Sequence, residues 1–142
     1  MTHLVPREPS ELRIVRTYSG ENGVLDVLGQ KGLEPKFSRV FKVARVPPGV
    51  TRANHAHRTC VQLLWAVAGT WRVKTEGAPE VDRAFVLTDE GQTALMVPTL
   101  NWVTLTSGSR SDILVVLCSE PYYEDSYIRD RGEWSRIVGR SQ

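Results

Sequence analysis

Two of the chain's three histidines stand two residues apart, within Arg52-Ala53-Asn54-His55-Ala56-His57. On a strand, residues i and i+2 point to one face, so both imidazoles project together. Such a pair ligates a metal, moves protons near neutral pH, or simply stands hydrogen-bonded or exposed at a strand end. Gln62 follows His57 after four residues, and glycines stand at 49 and 69. Gln62 is neutral and a poor ligand, and the other histidine is His3, near the N-terminus. Two imidazoles with apolar walls and an arginine nearby suit proton transfer between neighbouring carbons. One takes a proton α to a carbonyl. The other, or a nearby hydroxyl, carries a proton between the oxygens of an enediol. Arg52, three residues before His55, either stabilises enolate or phosphate charge or makes a surface salt bridge.

The elements that must position these groups read as strands. Short runs rich in β-branched residues cover Leu12 to Thr17, Gly23 to Leu28, Ser38 to Val46, Gln62 to Ala68 and Thr70 to Thr75. Further runs cover Ala84 to Leu87, Ala94 to Val97, Trp102 to Thr106 and Ile113 to Cys118. The last suits a strand buried on both faces. Turn signals such as Pro47-Pro48-Gly49, Glu76 to Pro79 and Ser107-Gly108-Ser109 separate them. Asp125 to Val138 is the one plausible helix, capped by Asp125 or Ser126. The expectation is an all-β sandwich or barrel with a short C-terminal helix. A single domain is expected over residues 1–142, with a core at about 12–119 and a tail at 120–142.

Composition excludes several classes. The 142 residues are 24% charged and 41% hydrophobic, which argues against disorder. The net charge of +2 is too balanced for a nucleic-acid coat, and no basic stripe has interleaved aromatics. Lys plus Arg totals 18, and Lys is confined to positions 31, 36, 42 and 74. That excess of Arg fits either a GC-rich coding bias or recognition of phosphate by guanidinium forks. Cys60 and Cys118 are too few and too far apart for a disulfide framework. Met1 to Ser10 lacks an apolar signal core, and no apolar run approaches a membrane span. A cytoplasmic protein with reduced thiols and no membrane partner is expected.

The glycine-flanked His-x-His spacing is that of the first cupin motif, whose last polar position is usually Glu. Cupins are double-stranded β-helix jelly rolls. The second cupin motif falls near Gly91 to Val103, around Pro98, and contains no histidine. The usual three-histidine metal site therefore cannot be built.

The chain further resembles the nucleotide-sugar 3,4-ketoisomerases, small cupins acting on dTDP-4-keto-6-deoxyglucose. The resemblance spans roughly residues 12 to 137. It rests on Gly23-x-Leu25, Arg39-Val40-Phe41, and Pro48-Gly49-Val50-x-Arg52 leading to His55-Ala56-His57. It continues through Gln62, Gly69, Pro98 with Asn101-Trp102, Tyr122-Tyr123, Tyr127-Ile128-Arg129 and Trp134. It implies a metal-free, cofactor-free isomerase and a dTDP-3-keto-6-deoxyhexose product. His55 and His57 match the catalytic pair. Arg39, Arg52, Asn54 and Gln62 are expected to bind substrate, as are Arg72, Asn101, Trp102 and Tyr127. A homodimer with strand exchange near the N-terminus is implied.

This chain departs from the family pattern at Ala53, where relatives carry Gly, and at Phe41, often Tyr. Asn101-Trp102 stands where many relatives have Trp-His. Trp102 is expected either to wall the sugar pocket or to pack. Tyr122, Tyr123 and Tyr127 beside Arg129 either order a lid or pack the tail. Arg72 and Lys74 share a strand face that either meets a pyrophosphate or faces water. The remaining alternatives are a 3,5-epimerase-like sugar cupin and a metal-binding cupin.

Overall fold

The computed structural model describes residues 10–77 and 81–140. The N-terminal segment with His3 and part of the Glu76 to Pro79 turn lie outside the described residues. Ten strands precede the tail: β1 (Glu11–Gly20), β2 (Gly23–Leu28), β3 (Arg39–Ala44), β4 (Arg52–His57), β5 (Gln62–Ala68), β6 (Thr70–Glu76), β7 (Asp82–Thr88), β8 (Thr93–Val97), β9 (Trp102–Ser107) and β10 (Ile113–Cys118). A 3-10 turn (Glu124–Ser126), β11 (Tyr127–Ile128) and helix α1 (Arg131–Val138) follow. All strand pairs are antiparallel. One sheet runs β2-β1-β8-β5-β10-β3 and the other β11-β4-β9-β6-β7. This is the expected all-β cupin jelly roll.

Period-two patterning builds the core between the sheets. Leu64 and Ala66 of β5, Trp71 and Val73 of β6, Val103 and Leu105 of β9, and Leu114 and Val116 of β10 all point inward and are buried. The apolar run of β10 has its other face only half covered, at Ile113, Val115 and Leu117. Leu117 packs there beside Leu33, Phe37 and Trp65, under the segment that joins β2 to β3.

The tail differs from expectation. Asp125 to Val138 does not form one helix, because Tyr127 and Ile128 pair with β4 and adopt extended backbone. The helix begins later, where the Asp130 carboxylate accepts from the Glu133 N–H at 2.8 Å. It ends at Gly139 with φ +76°. Trp134 is fully buried and its indole Nε1 donates to the Leu100 carbonyl at 2.9 Å. Arg131 forks onto Glu76 beneath the helix. Among the described residues no helix is long and apolar enough to cross a membrane.

Candidate active site

β4 is not a regular strand. Ala53 and Asn54 have φ of +69° and +56°, and the register with β9 shifts between Ala53 and His55. A bulge of this kind re-aims side chains. Beyond it, His55 and His57 recover the alternation and point to the pocket side, while Ala56 points outward beneath α1. The two imidazole centres are 4.9 Å apart and nearly perpendicular, at 79°.

Tyr127 of β11 lies opposite His57. Its ring centre is 4.3 Å from that of His57 and 5.2 Å from that of His55. Arg39 of β3 donates to the Tyr127 hydroxyl through Nη2 at 3.4 Å. Its guanidinium also lies 5.6 Å from the Phe41 ring centre and 5.5 Å from that of Tyr122. A small cavity of about 60 Å³ opens beside His55. Phe41, Val43, Leu64 and Val116 form apolar walls, and Arg52, His55 and Gln62 supply the polar groups. Gln62 is buried, and its Nε2 donates to the Cys118 thiol at 3.5 Å. Cys60 and Cys118 are free thiols. Their mutual hydrogen bond, together with burial, pushes Cys118 up.

Burial decides the charge state of the pair. It pushes His55 down to about 4, with the Arg129 charge adding to it. It pushes His57 down to about 3, aided by His55, Arg39 and Arg129. Both rings are therefore neutral at pH 7. His55 Nδ1 and both nitrogens of His57 are buried without a hydrogen-bond partner. Buried polar atoms are normally satisfied, so these nitrogens stand ready to bond a ligand. The same holds for Arg39 Nε. Among the described residues no group of three His, Cys, Asp or Glu side chains stands together to hold a metal.

The structure thus brings His55, His57, Arg39, Arg52, Gln62 and Tyr127 to one place. Four expected residues lie elsewhere. Trp102 precedes Val103, which lines the cavity, so strand alternation turns Trp102 to the outer face. There it packs 5.7 Å from Trp134, with Arg131 stacked over both rings. Asn101 is buried, accepts from the Ser10 hydroxyl at 3.1 Å and donates to the Thr99 carbonyl. Arg72 alternates with the core residues Trp71 and Val73, so it faces away from the pair. It lines a groove on the outer face with Lys74, Thr104 and Thr106. Asn54, in the bulge, is exposed and donates to the Thr51 carbonyl. Two residues not expected to bind substrate join the site, Phe41 as a wall and Arg129 as a charge near the pair. Arg129 stands beside Tyr127 in the sequence, and the pairing of Tyr127 and Ile128 with β4 carries it there.

Comparison with known proteins finds the same fold elsewhere. A sugar 3,4-ketoisomerase, QdtA from Thermoanaerobacterium thermosaccharolyticum, solved with TDP, superposes at a TM-score of 0.80. It is 24% identical over 88% of this chain and 90% of that one. A 3,4-ketoisomerase from Helicobacter canadensis gives 0.82 and 24% identity over 92% and 97%. A dTDP-4-dehydrorhamnose 3,5-epimerase from Bacillus anthracis gives 0.73 and 14% over 86% and 81%. No curated protein matches by sequence. The family model described as "FdtA: WxcM-like, C-terminal" matches residues 9–139, and the chain belongs to that family.

Proposed function

We propose that the protein is a sugar nucleotide 3,4-ketoisomerase acting on dTDP-4-keto-6-deoxy-D-glucose. The observation that carries this reading is the pair of neutral imidazoles, His57 buried and His55 half-buried at the wall of an apolar cavity, with unpartnered nitrogens. A neutral imidazole can accept a proton from the carbon next to a ketone. Removal of the C3 hydrogen and protonation of the C4 oxygen give a 3,4-enediol. Loss of the proton on the C3 oxygen and delivery of a proton to C4 leave the ketone at C3. One C–H bond breaks and one forms, so the step needs no redox partner. His55 and His57 share these transfers. Arg39 and Arg52 supply positive charge for the developing enolate. Gln62 and Tyr127 fix the sugar. The cavity of about 60 Å³ holds about two waters, so the sugar ring seats at its mouth between His55 and Arg52.

The proposal includes a homodimer in the cytoplasm. Exposed Ile14, Tyr18, Val24 and Leu25 on the first hairpin support an interface between two copies. The free thiols fit a reducing compartment.

Incubation with dTDP-4-keto-6-deoxyglucose in deuterated water tests the reading. The expected result is exchange at C3 and a 3-keto product carrying deuterium at C4. No exchange, with or without added divalent metal, refutes it. Tyr127 beside the histidines favours one second reading, a 3,5-epimerase, which would exchange C3 and C5 instead.

A further inference from the structure

β11 carries more than Tyr127 to the histidines. It runs antiparallel to β4 with Tyr127 opposite His57 and Ile128 opposite Ala56. β11 ends at Ile128, and Arg129 follows it directly, its charge reaching both histidines. Ala56 and Ile128 turn outward into the tail's core. Arg129 does not hang free. Its Nε donates to Glu124 Oε1 at 2.9 Å and its Nη2 to Oε2 at 3.1 Å. The Tyr122 hydroxyl donates to the same carboxylate. The Arg129 guanidinium carbon lies 4.3 Å from the centre of the Tyr127 ring.

We propose that Arg129, gripped by Glu124, is a positioning residue that seats Tyr127 against both histidines and holds a fixed positive charge beside them. The proposal rests on reading His55 and His57 as the proton-moving pair. Its physics is charge repulsion. A cation close to a histidine disfavours a second cation there, so it keeps the ring in the form that can accept a proton. The other groups facing the pair are Arg39 from β3, Arg52 from β4, Cys118 from β10, and Tyr127 from β11. Arg39 is directed at the Tyr127 hydroxyl, and the Glu124 charge is matched by Arg129 itself. A planar guanidinium can fork onto a carboxylate and stack on a ring at once, and a lysine cannot.

The test is an NMR titration of both imidazoles without substrate, in the wild type and in Arg129→Gln, Arg129→Lys and Glu124→Gln. Reading the protein alone separates this inference from the fate of the isomerase assignment. Arg129→Gln is expected to raise both midpoints by roughly 0.5–1 pH unit. Arg129→Lys keeps most of the low midpoints, but in turnover assays it lowers kcat by roughly tenfold or more through misplacement of Tyr127. Glu124→Gln decides between a clamp and a mere charge. Release of Arg129 into solvent raises the midpoints, whereas simple loss of a negative charge lowers them. Unchanged midpoints in a folded Arg129→Gln protein, or lowered midpoints in Glu124→Gln, overturn the proposal. If the midpoints move as expected and the wild type does not isomerise the sugar, the positioning role stands and the reaction assignment fails.

Discussion

Lowering the pH from 8 to 5 will destabilise the fold through two imidazoles, and His57→Gln will remove about half of their contribution. Each imidazole is neutral in the folded protein at both pH values, because burial holds His55 near 4 and His57 near 3. In the unfolded chain the same rings titrate near 6.5. Above that value neither state binds the proton and the rings make no pH-dependent contribution. Below it the unfolded chain gains a proton that the fold refuses, so stability falls until the pH reaches the folded values. At pH 5 each ring contributes about 2 kcal/mol of loss, or about 4 kcal/mol together. That is a large share of the roughly 5–15 kcal/mol that a domain of this size holds in reserve. Glu76, Asp82 and Asp112 have lowered folded values, and their stabilising effect is lost only below the ordinary carboxylate range. Cys60, held down to about 6 by its hydrogen bond with Cys118, also loses stabilising effect as the pH falls through this window, so the comparison with His57→Gln isolates the histidine contribution. Urea unfolding at pH 8 and pH 5 on the wild type and His57→Gln measures the difference. An equal pH loss in the two proteins would refute the assignment of buried, neutral rings.

His55→Asn and His57→Asn should each remain folded at pH 7.5 and lose isomerase activity by about 10² or more, read by product NMR. Trp134→Ala should cost about 3–5 kcal/mol in urea unfolding, because a fully buried ring and its bond to Leu100 both go. Gly69→Ala should cost about 2 kcal/mol or more, since a Cβ there would stand 1.8 Å from the Asp112 carboxylate at φ +76°. Gly20→Ala, where nothing stands within 4 Å, is the control and should lie within about 0.5 kcal/mol of the wild type.

The parts legible in the sequence obey a short-range period. Alternating apolar residues marked the strands, and the i, i+2 rule put His55 and His57 on one face even though a bulge precedes them. What escaped depended on partners distant in sequence. Tyr127 and Ile128 read as the first turn of a helix, but β4 offered them a ladder and they took extended backbone. The true cap, Asp130 with Glu133 three residues on, was present in the sequence and was overshadowed by Asp125 and Ser126. For Trp102 the local sequence allows either a pocket wall or packing. Its neighbour Val103 points into the cavity, so alternation turned Trp102 outward, where Trp134 covers it. Asn101 found Ser10, a contact that no local pattern announces.

The contact between Arg39 and Tyr127 joins residues 88 positions apart in the chain. Strands from β3 to β11 must all be in place before the histidine pair has its neighbours. Closing such long loops costs entropy that is recovered only late, and folding dominated by distant pairings is slow. A partly folded chain therefore holds the histidines but not their chemistry: full protection of their backbone amides from hydrogen exchange and the first turnover should arrive in the same kinetic phase.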